Sequence, residues 1–248
     1  MRGRWKILRL FLGLPVRRPF LVEFAPGLRF RVASRMDVWI LKESCLDRDY
    51  ERDAVAVENG WTVLDVGAGF GDFAVRVARE CPGARILAFE PLPESFLRLE
   101  EHIRLNGVSN VNAFAQAVAG QEGELTLYTL TGLSGQHRTA GDLSRAQGQT
   151  IRVPAVTLAA AMEKLGIDRC DFLKLDCEGA EYDILLTAGE QTLSRIGHIA
   201  LEYHDAVTSH VHEDLVRFLQ ERGFEAWTRP SPAWHELGFL FATNRRSG

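Results

Sequence analysis

The stretch of sequence that decides the fold is Asp65-Val66-Gly67-Ala68-Gly69-Phe70-Gly71-Asp72, which directly follows a short apolar run. A strand that ends in glycines and leads into a helix is the context of a nucleotide-binding loop. Glycines adopt positive φ angles easily and let backbone N–H groups approach a ligand closely. This segment therefore predicts the first strand, loop and helix of a nucleotide-binding α/β sheet.

The chain continues from this loop as alternating strands and helices. Successive strand–helix units imply a mainly parallel sheet with helices on both faces, and such sheets bind ligands at the carboxyl ends of their strands. A long segment rich in Gly, Ser, Thr and Gln, at 131–150, is predicted to be a lid, a binding loop or a disordered loop. The predicted strands are 62–66, 85–90, 111–118, 153–158, 171–176, 198–203, 224–228 and 238–243, with an added antiparallel strand at 125–128.

Residues 1–58 form an N-terminal extension in this prediction, and residues 59–248 form the main domain. A basic amphipathic segment (1–20) is followed by a hairpin (20–32), and residues 37–58 are predicted to be mostly helical. The first twenty residues hold six basic side chains and no acidic one. This pattern indicates either an N-terminal helix that docks on the domain or is disordered, or a contact with a membrane surface or a partner. The segment is too short to span a bilayer and lacks the pattern of a signal peptide.

Composition narrows the class of protein further. The 248 residues carry 29 basic and 33 acidic side chains, a formal charge of −4, which does not indicate a nucleic-acid partner. The four cysteines are scattered without a C-x-x-C pair, so neither a zinc site nor a redox dithiol is predicted. Free thiols fit a reducing cytoplasm, which is the predicted location, with a membrane-peripheral position as the alternative.

Acidic residues around the glycine loop select among nucleotide ligands. Asp72 stands where the dinucleotide-binding fingerprint requires its third glycine, and a carboxylate at a helix N-terminus repels a pyrophosphate. Asp65 lies on the strand before the loop, and Glu90 ends the next strand, where a carboxylate can accept hydrogen bonds from both ribose hydroxyls. An acidic loop suits S-adenosylmethionine, which has a sulfonium, an ammonium and a ribose but no phosphate. A nicotinamide-dependent oxidoreductase is the first alternative.

Four segments together resemble the FkbM family of S-adenosylmethionine-dependent methyltransferases, and the resemblance spans residues 40–243. The common form of the first segment in that family has Asn at position 69, where this chain has Gly69. The resemblance implies a class I methyltransferase fold: a Rossmann-like, seven-stranded α/β sheet whose last strand is antiparallel, here with a small helix and hairpin extension at the N-terminus. The segments are 65–71, Phe89-Glu90-Pro91, the run from Phe172 to Glu181 (FLKLDCEGAE) and Leu201-Glu202-Tyr203-His204.

The same resemblance assigns the cofactor-binding positions. The methionine part is expected at the first glycine loop, the ribose at the carboxylate after the second strand, and the adenine between residues that follow the second and third strands. In that order, the residues are Asp65, Gly67, Ala68 and Gly69; then Glu90; then Pro91 and Leu92, with Gln116 and Ala117 near the adenine edge.

Candidate catalytic residues stand at the ends of the fourth and fifth parallel strands. They are Lys174, Asp176, Glu178, Glu202 and His204. Residues two apart on a strand share a face, so these side chains converge if the two strands are neighbours. His204 or Asp176 is predicted to act as a general base.

Two alternatives stay open at this point. Asp176, Glu178, Glu202 and His204 could bind a divalent cation such as Mg²⁺, or they could act without a metal. Asp176 could instead cap the following helix, with Glu202 paired to Lys174.

The sequence thus predicts an S-adenosylmethionine-dependent methyltransferase. From the family resemblance, the acceptor is expected to be a hydroxyl on a sugar, a glycolipid or a polyketide-like small molecule. A non-catalytic adapter that binds membranes through residues 1–20 is the second alternative, and the intact glycines and Glu90 speak against it.

Overall fold

The computed structural model describes residues 3–24, 27–130, 137–138, 148–231 and 236–245, so most of the predicted loop at 131–150 lies outside the described residues. The helices are α1 (Arg4–Phe11), α2 (Arg35–Lys42), α3 (Asp72–Glu80), α4 (Pro93–Asn106), α5 (Leu158–Lys164), α6 (Ala180–Leu186), α7 (Glu190–Leu193) and α8 (His212–Glu221), with a π-helical turn at Glu43–Asp47 and a 3-10 turn at Asp205–Val207. The strands are β1 (Phe20–Phe24), β2 (Leu28–Val32), β3 (Thr62–Val66), β4 (Arg85–Phe89), β5 (Val111–Phe114), β6 (Ala117–Val118), β7 (Gly123–Leu130), β8 (His137–Arg138), β9 (Gly148–Val156), β10 (Cys170–Leu175), β11 (Ile196–His204), β12 (Phe224–Pro230) and β13 (Leu237–Asn244).

Seven strands form the main sheet in the order β12-β13-β11-β10-β3-β4-β5. The pairs from β11 to β5 are parallel, whereas β13 runs antiparallel to both β11 and β12. The predicted sheet with an antiparallel last strand is therefore confirmed. Strand order reverses between β3 and β10, and ligands of such sheets bind at the carboxyl ends of the strands beside that reversal.

Helices cover both faces of this sheet, as predicted. Side chains of β3 alternate between the two faces: Leu64 and Val66 pack with α5, α6 and α8, whereas Val63 packs with α3 and α4. These side chains are fully or almost fully buried. Burial on both faces explains why the parallel strands read as continuous apolar runs rather than alternating ones.

A second, four-stranded sheet in the order β6-β9-β7-β8 lies between β5 and α5 in the chain. The prediction of one strand over 111–118 was wrong, because the chain bends at Ala115 and residues 117–118 pair with β9 instead. The predicted strand at 153–158 likewise lies mostly in β9 of this small sheet. The added antiparallel strand at 125–128 is confirmed within β7. An apolar run does not reveal which of two sheets it joins.

The N-terminal extension packs directly on the main sheet's helices. The predicted hairpin is confirmed as β1 and β2, and His102 and Asn106 of α4 bind the backbone of β2 through Arg31 N (2.9 Å) and Arg29 N (2.8 Å). The predicted helix over 37–58 is too long, since helical structure ends at Asp47. Among the described residues, no helix is both long and apolar enough to cross a bilayer.

Candidate active site

The glycine loop after β3 is shaped by close contact with β10. Gly67, Gly69 and Gly71 have φ angles of 73°, 54° and 87°. A Cβ on Gly67 would lie 1.9 Å from the backbone oxygen of Asp176, so no other residue fits there. Gly69 differs, because the nearest atom to its Cβ position is Asp72 Oδ1 at 4.0 Å. The loop is therefore closed toward β10 and open at Gly69, where a ligand can approach the backbone.

This difference predicts a large loss of stability for a substitution at Gly67 and a small change for one at Gly69. Gly67→Ala is expected to destabilise the protein by about 3 kcal/mol or more, because the added Cβ overlaps backbone at a positive φ. Gly69→Asn is expected to change stability by less than about 0.5 kcal/mol, since Asn tolerates the left-handed region and the space is open. Thermal unfolding of both variants checks this; equal losses in melting temperature would contradict it.

Glu90 lies beside the open side of the loop with its carboxylate buried. Its Oε2 accepts a hydrogen bond from Gly69 N (2.8 Å) and its Oε1 accepts one from Leu92 N (2.9 Å). Burial raises the pKa of Glu90 to about 7, although these two bonds favour the ionised form. Each carboxylate oxygen keeps a second acceptor position, so the group can still bind two hydroxyls.

The predicted adenine-contacting residues lie next to Glu90. Glu90 N donates to Phe114 O of β5 (3.0 Å), which brings the end of β5 alongside. Gln116 follows two residues later and is half-buried. Leu92 and Ala117 are buried in the same apolar cluster. Pro91 stands between Glu90 and Leu92, so these residues form one wall.

Lys174 and Asp65 form a buried ion pair under the loop. Lys174 Nζ lies 2.9 Å from Asp65 Oδ1, donates to Gly67 O at 2.9 Å, and lies 3.8 Å from Asp176 Oδ2. Burial raises the pKa of Asp65 despite the ammonium, and burial likewise raises that of Asp72 to about 6. Lys174 therefore holds the loop against β10 from below, with 3% of its surface exposed.

The carboxylates at the ends of β10 and β11 meet at the same edge of the sheet. The two strands are parallel neighbours, and the pairing of Leu175 with Leu201 sets Asp176 and Glu202 at the same level. One ligand atom from each of Asp176, Glu202 and His204 lies within 4.8 Å of the others. The convergence expected from the spacing is thus present. Burial, followed by the charge of Asp176, raises the pKa of Glu202 to about 8.

His204 lies between two carboxylates. Its Nε2 is 3.6 Å from Glu178 Oε2 and its Nδ1 is 3.5 Å from Glu181 Oε1. Burial alone lowers the pKa of His204, but Glu181, Glu202 and Glu178 outweigh it and raise the pKa to about 10. Glu178 does not belong to the close group around Asp176, and it has a left-handed φ of 53° in the turn before α6.

The structure contradicts the two alternative roles considered above, Asp176 as the cap of the following helix and Glu202 as the partner of Lys174. Gly179 is the N-cap of α6, and Asp176 instead accepts a hydrogen bond from the Tyr50 hydroxyl at 2.7 Å. Lys174 pairs with Asp65 and Asp176, at the distances given above, rather than with Glu202.

The sequence did not point to three residues of this site. Tyr50 comes from the extension, and its ring also lies over Lys174 Nζ at 5.1 Å. Glu43 also belongs to the extension, and its charge raises the pKa of Glu202. Burial raises the pKa of Glu43 itself to about 7. Glu181 accepts hydrogen bonds from the backbone N–H groups of Cys177 and Gly179. Of these three residues, Glu181 alone could have been found from the sequence, because it is the last residue of the FLKLDCEGAE segment.

Sheet order, glycine loop and the carboxylate after β4 define a class I methyltransferase fold. In agreement, the structure superposes on the crystal structure of methyltransferase FkbM from Methylobacillus flagellatus KT with a TM-score of 0.54 and 15% identity, covering 78% of this chain and 46% of that one. The model of the methyltransferase FkbM domain matches residues 65–226. The chain belongs to the FkbM methyltransferase family.

Curated relatives match the chain to different extents. Methyltransferase sdnD of Sordaria araneosa is 26% identical over 92% of this chain and 97% of its own length. The 31-O-demethyl-FK506 methyltransferase FkbM of Streptomyces tacrolimicus is 28% identical over 78% of this chain and 84% of its length. AMB antimetabolite synthetase AmbE of Pseudomonas aeruginosa is 29% identical over 77% of this chain, which spans just 11% of AmbE.

Proposed function

We propose that this protein transfers the methyl group of S-adenosylmethionine to a hydroxyl of a small-molecule acceptor. The observation that carries the proposal is the buried carboxylate of Glu90 beside the open backbone at Gly69. This pair fits a ribose next to a cationic, unphosphorylated group. The carboxylate of Asp72 in the first turn of α3 makes the same space unfavourable for a pyrophosphate, which argues against a nicotinamide dinucleotide.

The residues present fit this donor part by part. The loop formed by Asp65, Gly67, Ala68 and Gly69 would hold the methionine portion, and Glu90 would bind the ribose hydroxyls. The wall of Pro91, Leu92, Gln116 and Ala117 would contact the adenine. When bound, the donor supplies an electrophilic methyl group on a positively charged sulfur. Lys174 acts in this scheme as a positioning residue, because its ammonium pairs with Asp65 and donates a hydrogen bond to Gly67 O.

The acceptor site in this proposal lies at the ends of β10 and β11. An acceptor hydroxyl held in line with the methyl group would form the O–C bond as the C–S bond breaks and S-adenosylhomocysteine leaves. Positioning of this kind can supply about 7–11 kcal/mol. The hydroxyl proton passes to the carboxylate of Glu202, whose raised pKa suits a general base near neutral pH. Asp176, oriented by Tyr50, faces the same space.

The reaction proposed here proceeds without a metal ion. Both ring nitrogens of His204 face carboxylates, and the resulting imidazolium has no lone pair for a cation. His204 is therefore a counter-charge in this scheme rather than the base or a metal ligand. Glu202 remains as the proton acceptor, with Asp176 beside it.

The acceptor proposed is a hydroxyl on a sugar, a glycolipid or a polyketide-like metabolite. Its support is the 31-O-demethyl-FK506 methyltransferase named among the relatives. A cytoplasmic location is part of the same proposal, because Cys45, Cys81, Cys170 and Cys177 are all free thiols.

Calorimetric titration tests the proposal directly. We expect micromolar-scale binding of S-adenosylmethionine and S-adenosylhomocysteine and no heat from NADH. Binding of NADH alone would overturn the proposal in favour of an oxidoreductase, and binding of neither would favour an adapter. A chelator is expected to leave donor binding and methyl transfer unchanged. Loss of transfer that Mg²⁺ restores would instead assign Asp176, Glu202 and His204 as metal ligands.

A further inference from the structure

One face of α1 presents large apolar side chains to solvent. Trp5, Leu8 and Leu12, spaced three and four residues apart, are 69%, 47% and 64% exposed, and Phe11 beside them is 49% exposed. On the other side of the helix, Leu10 is buried in the cluster formed by the hairpin and α2. The helix is thus attached through one face, while an apolar stripe on the opposite face contacts no core.

Basic side chains surround this stripe. Arg4, Lys6 and Arg9 of α1 are exposed, as are Arg17 and Arg18 just after it. Outside the first twenty residues, the chain has 23 basic and 33 acidic residues, a formal charge of −10. A surface that combines apolar and basic side chains, on an otherwise acidic protein, is complementary to a partner that combines hydrocarbon with negative charge.

Exposed apolar side chains continue on the adjoining helix. Arg35 at the start of α2 donates from Nε to Leu10 O at 3.1 Å, which joins the two helices. Met36 and Trp39, three residues apart on α2, are both exposed. The Lys42 ammonium lies 5.0 Å from the centre of the Trp39 ring. A tryptophan next to a lysine is the pairing found at the boundary between lipid and water.

We propose that these residues form a docking surface for an anionic phospholipid bilayer, called here the N-terminal surface (Trp5, Leu8, Phe11, Leu12 and Trp39, with the basic residues around them). α1 has eight residues, far fewer than the roughly 20 that span a bilayer, so it lies in the plane of the interface. A symmetric contact with a second copy is disfavoured, because it would bring the same basic residues of both copies together.

Vesicle flotation tests this docking. Full-length protein is expected to float with vesicles of phosphatidylcholine that contain about one third phosphatidylserine, and to float less at high salt. Leu8→Ser combined with Leu12→Ser is expected to weaken binding about tenfold or more, and so is Lys6→Ser combined with Arg9→Ser. Leu97→Ser is the matched control, since Leu97 of α4 is 62% exposed but lies outside the N-terminal surface.

Three outcomes would overturn the proposal. They are equal binding to vesicles of phosphatidylcholine alone, full binding by the Leu8/Leu12 variant, and a wild-type dimer in gel filtration that the same variant converts to a monomer. The last result would show that a second copy covers the surface. Each variant replaces side chains exposed on the surface, so an unchanged melting temperature and unchanged donor titration verify that it is folded.

Discussion

A Glu202→Gln variant is expected to transfer methyl groups about 100- to 10,000-fold more slowly than the wild type, with nearly unchanged affinity for S-adenosylmethionine. Glutamine keeps the shape of the side chain but cannot accept the acceptor's proton. Glu202 lies near the end of β11, which is separated from β3 by β10. The proposed methionine and ribose contacts lie at the ends of β3 and β4, so donor binding is spared. Transfer of a labelled methyl group to a panel of hydroxylated sugars, glycolipids and polyketides measures the rate, and calorimetry measures donor affinity.

The pH dependence of the wild type gives a second readout of the same group. Because a base must be ionised to act, and burial raises the pKa of Glu202 to about 8, kcat/KM is expected to rise with pH, to reach half its maximum near pH 8, and to level off at higher pH. The Glu202→Gln variant should lose this rise. Glu213→Gln is the matched control, since Glu213 is an exposed acid on α8. A Glu202→Gln variant with the wild-type rate and profile would show that another group takes the proton.

A Glu90→Gln variant is expected to bind S-adenosylmethionine about 10- to 100-fold more weakly than the wild type. Hydrogen bonds to a charged group contribute about 1.5–3 kcal/mol each, and the amide retains just one acceptor oxygen for the loop and the ribose. Calorimetry with S-adenosylmethionine and S-adenosylhomocysteine measures the change. Glu94→Gln, in the exposed first turn of α4, is the control and should bind both ligands normally.

The sign of the pH effect separates the ribose assignment from a general loss of structure. Burial raises the pKa of Glu90 to about 7, so its carboxylate is protonated below that pH and ionised above it. The ionised form accepts hydrogen bonds from both ribose hydroxyls; the protonated form must donate one. Donor affinity should therefore increase as the pH rises through about 7 in the wild type, and this increase should be absent in Glu90→Gln. Unchanged affinity in the variant would remove Glu90 from the ribose site.

Sequence determined the central sheet and the positions of most polar residues in the site. The glycine loop from Asp65 to Asp72 could be recognised because Gly67, Gly69 and Gly71 all have positive φ angles, a local backbone requirement that glycine meets most easily. The placement of Asp176 and Glu202 at one edge followed from parallel strands, which end together. The small sheet around β9 was not predicted, because the apolar run at 153–158 satisfies either sheet equally well.

Tertiary structure alone decided which side chains contact one another. Tyr50 reaches Asp176 across 126 residues of chain, and no periodicity in the sequence encodes such a contact. The protonation of His204 and Glu202 likewise depends on how many carboxylates are buried around them, which is a property of packing. Residue types thus determined the sheet and the kind of ligand that fits it, because these depend on local spacing. The fold decides that Glu202 is the proposed base and His204 the counter-charge, because it buries carboxylates from distant parts of the chain next to them. Electrostatic interactions depend on distances through space, which the sequence does not give.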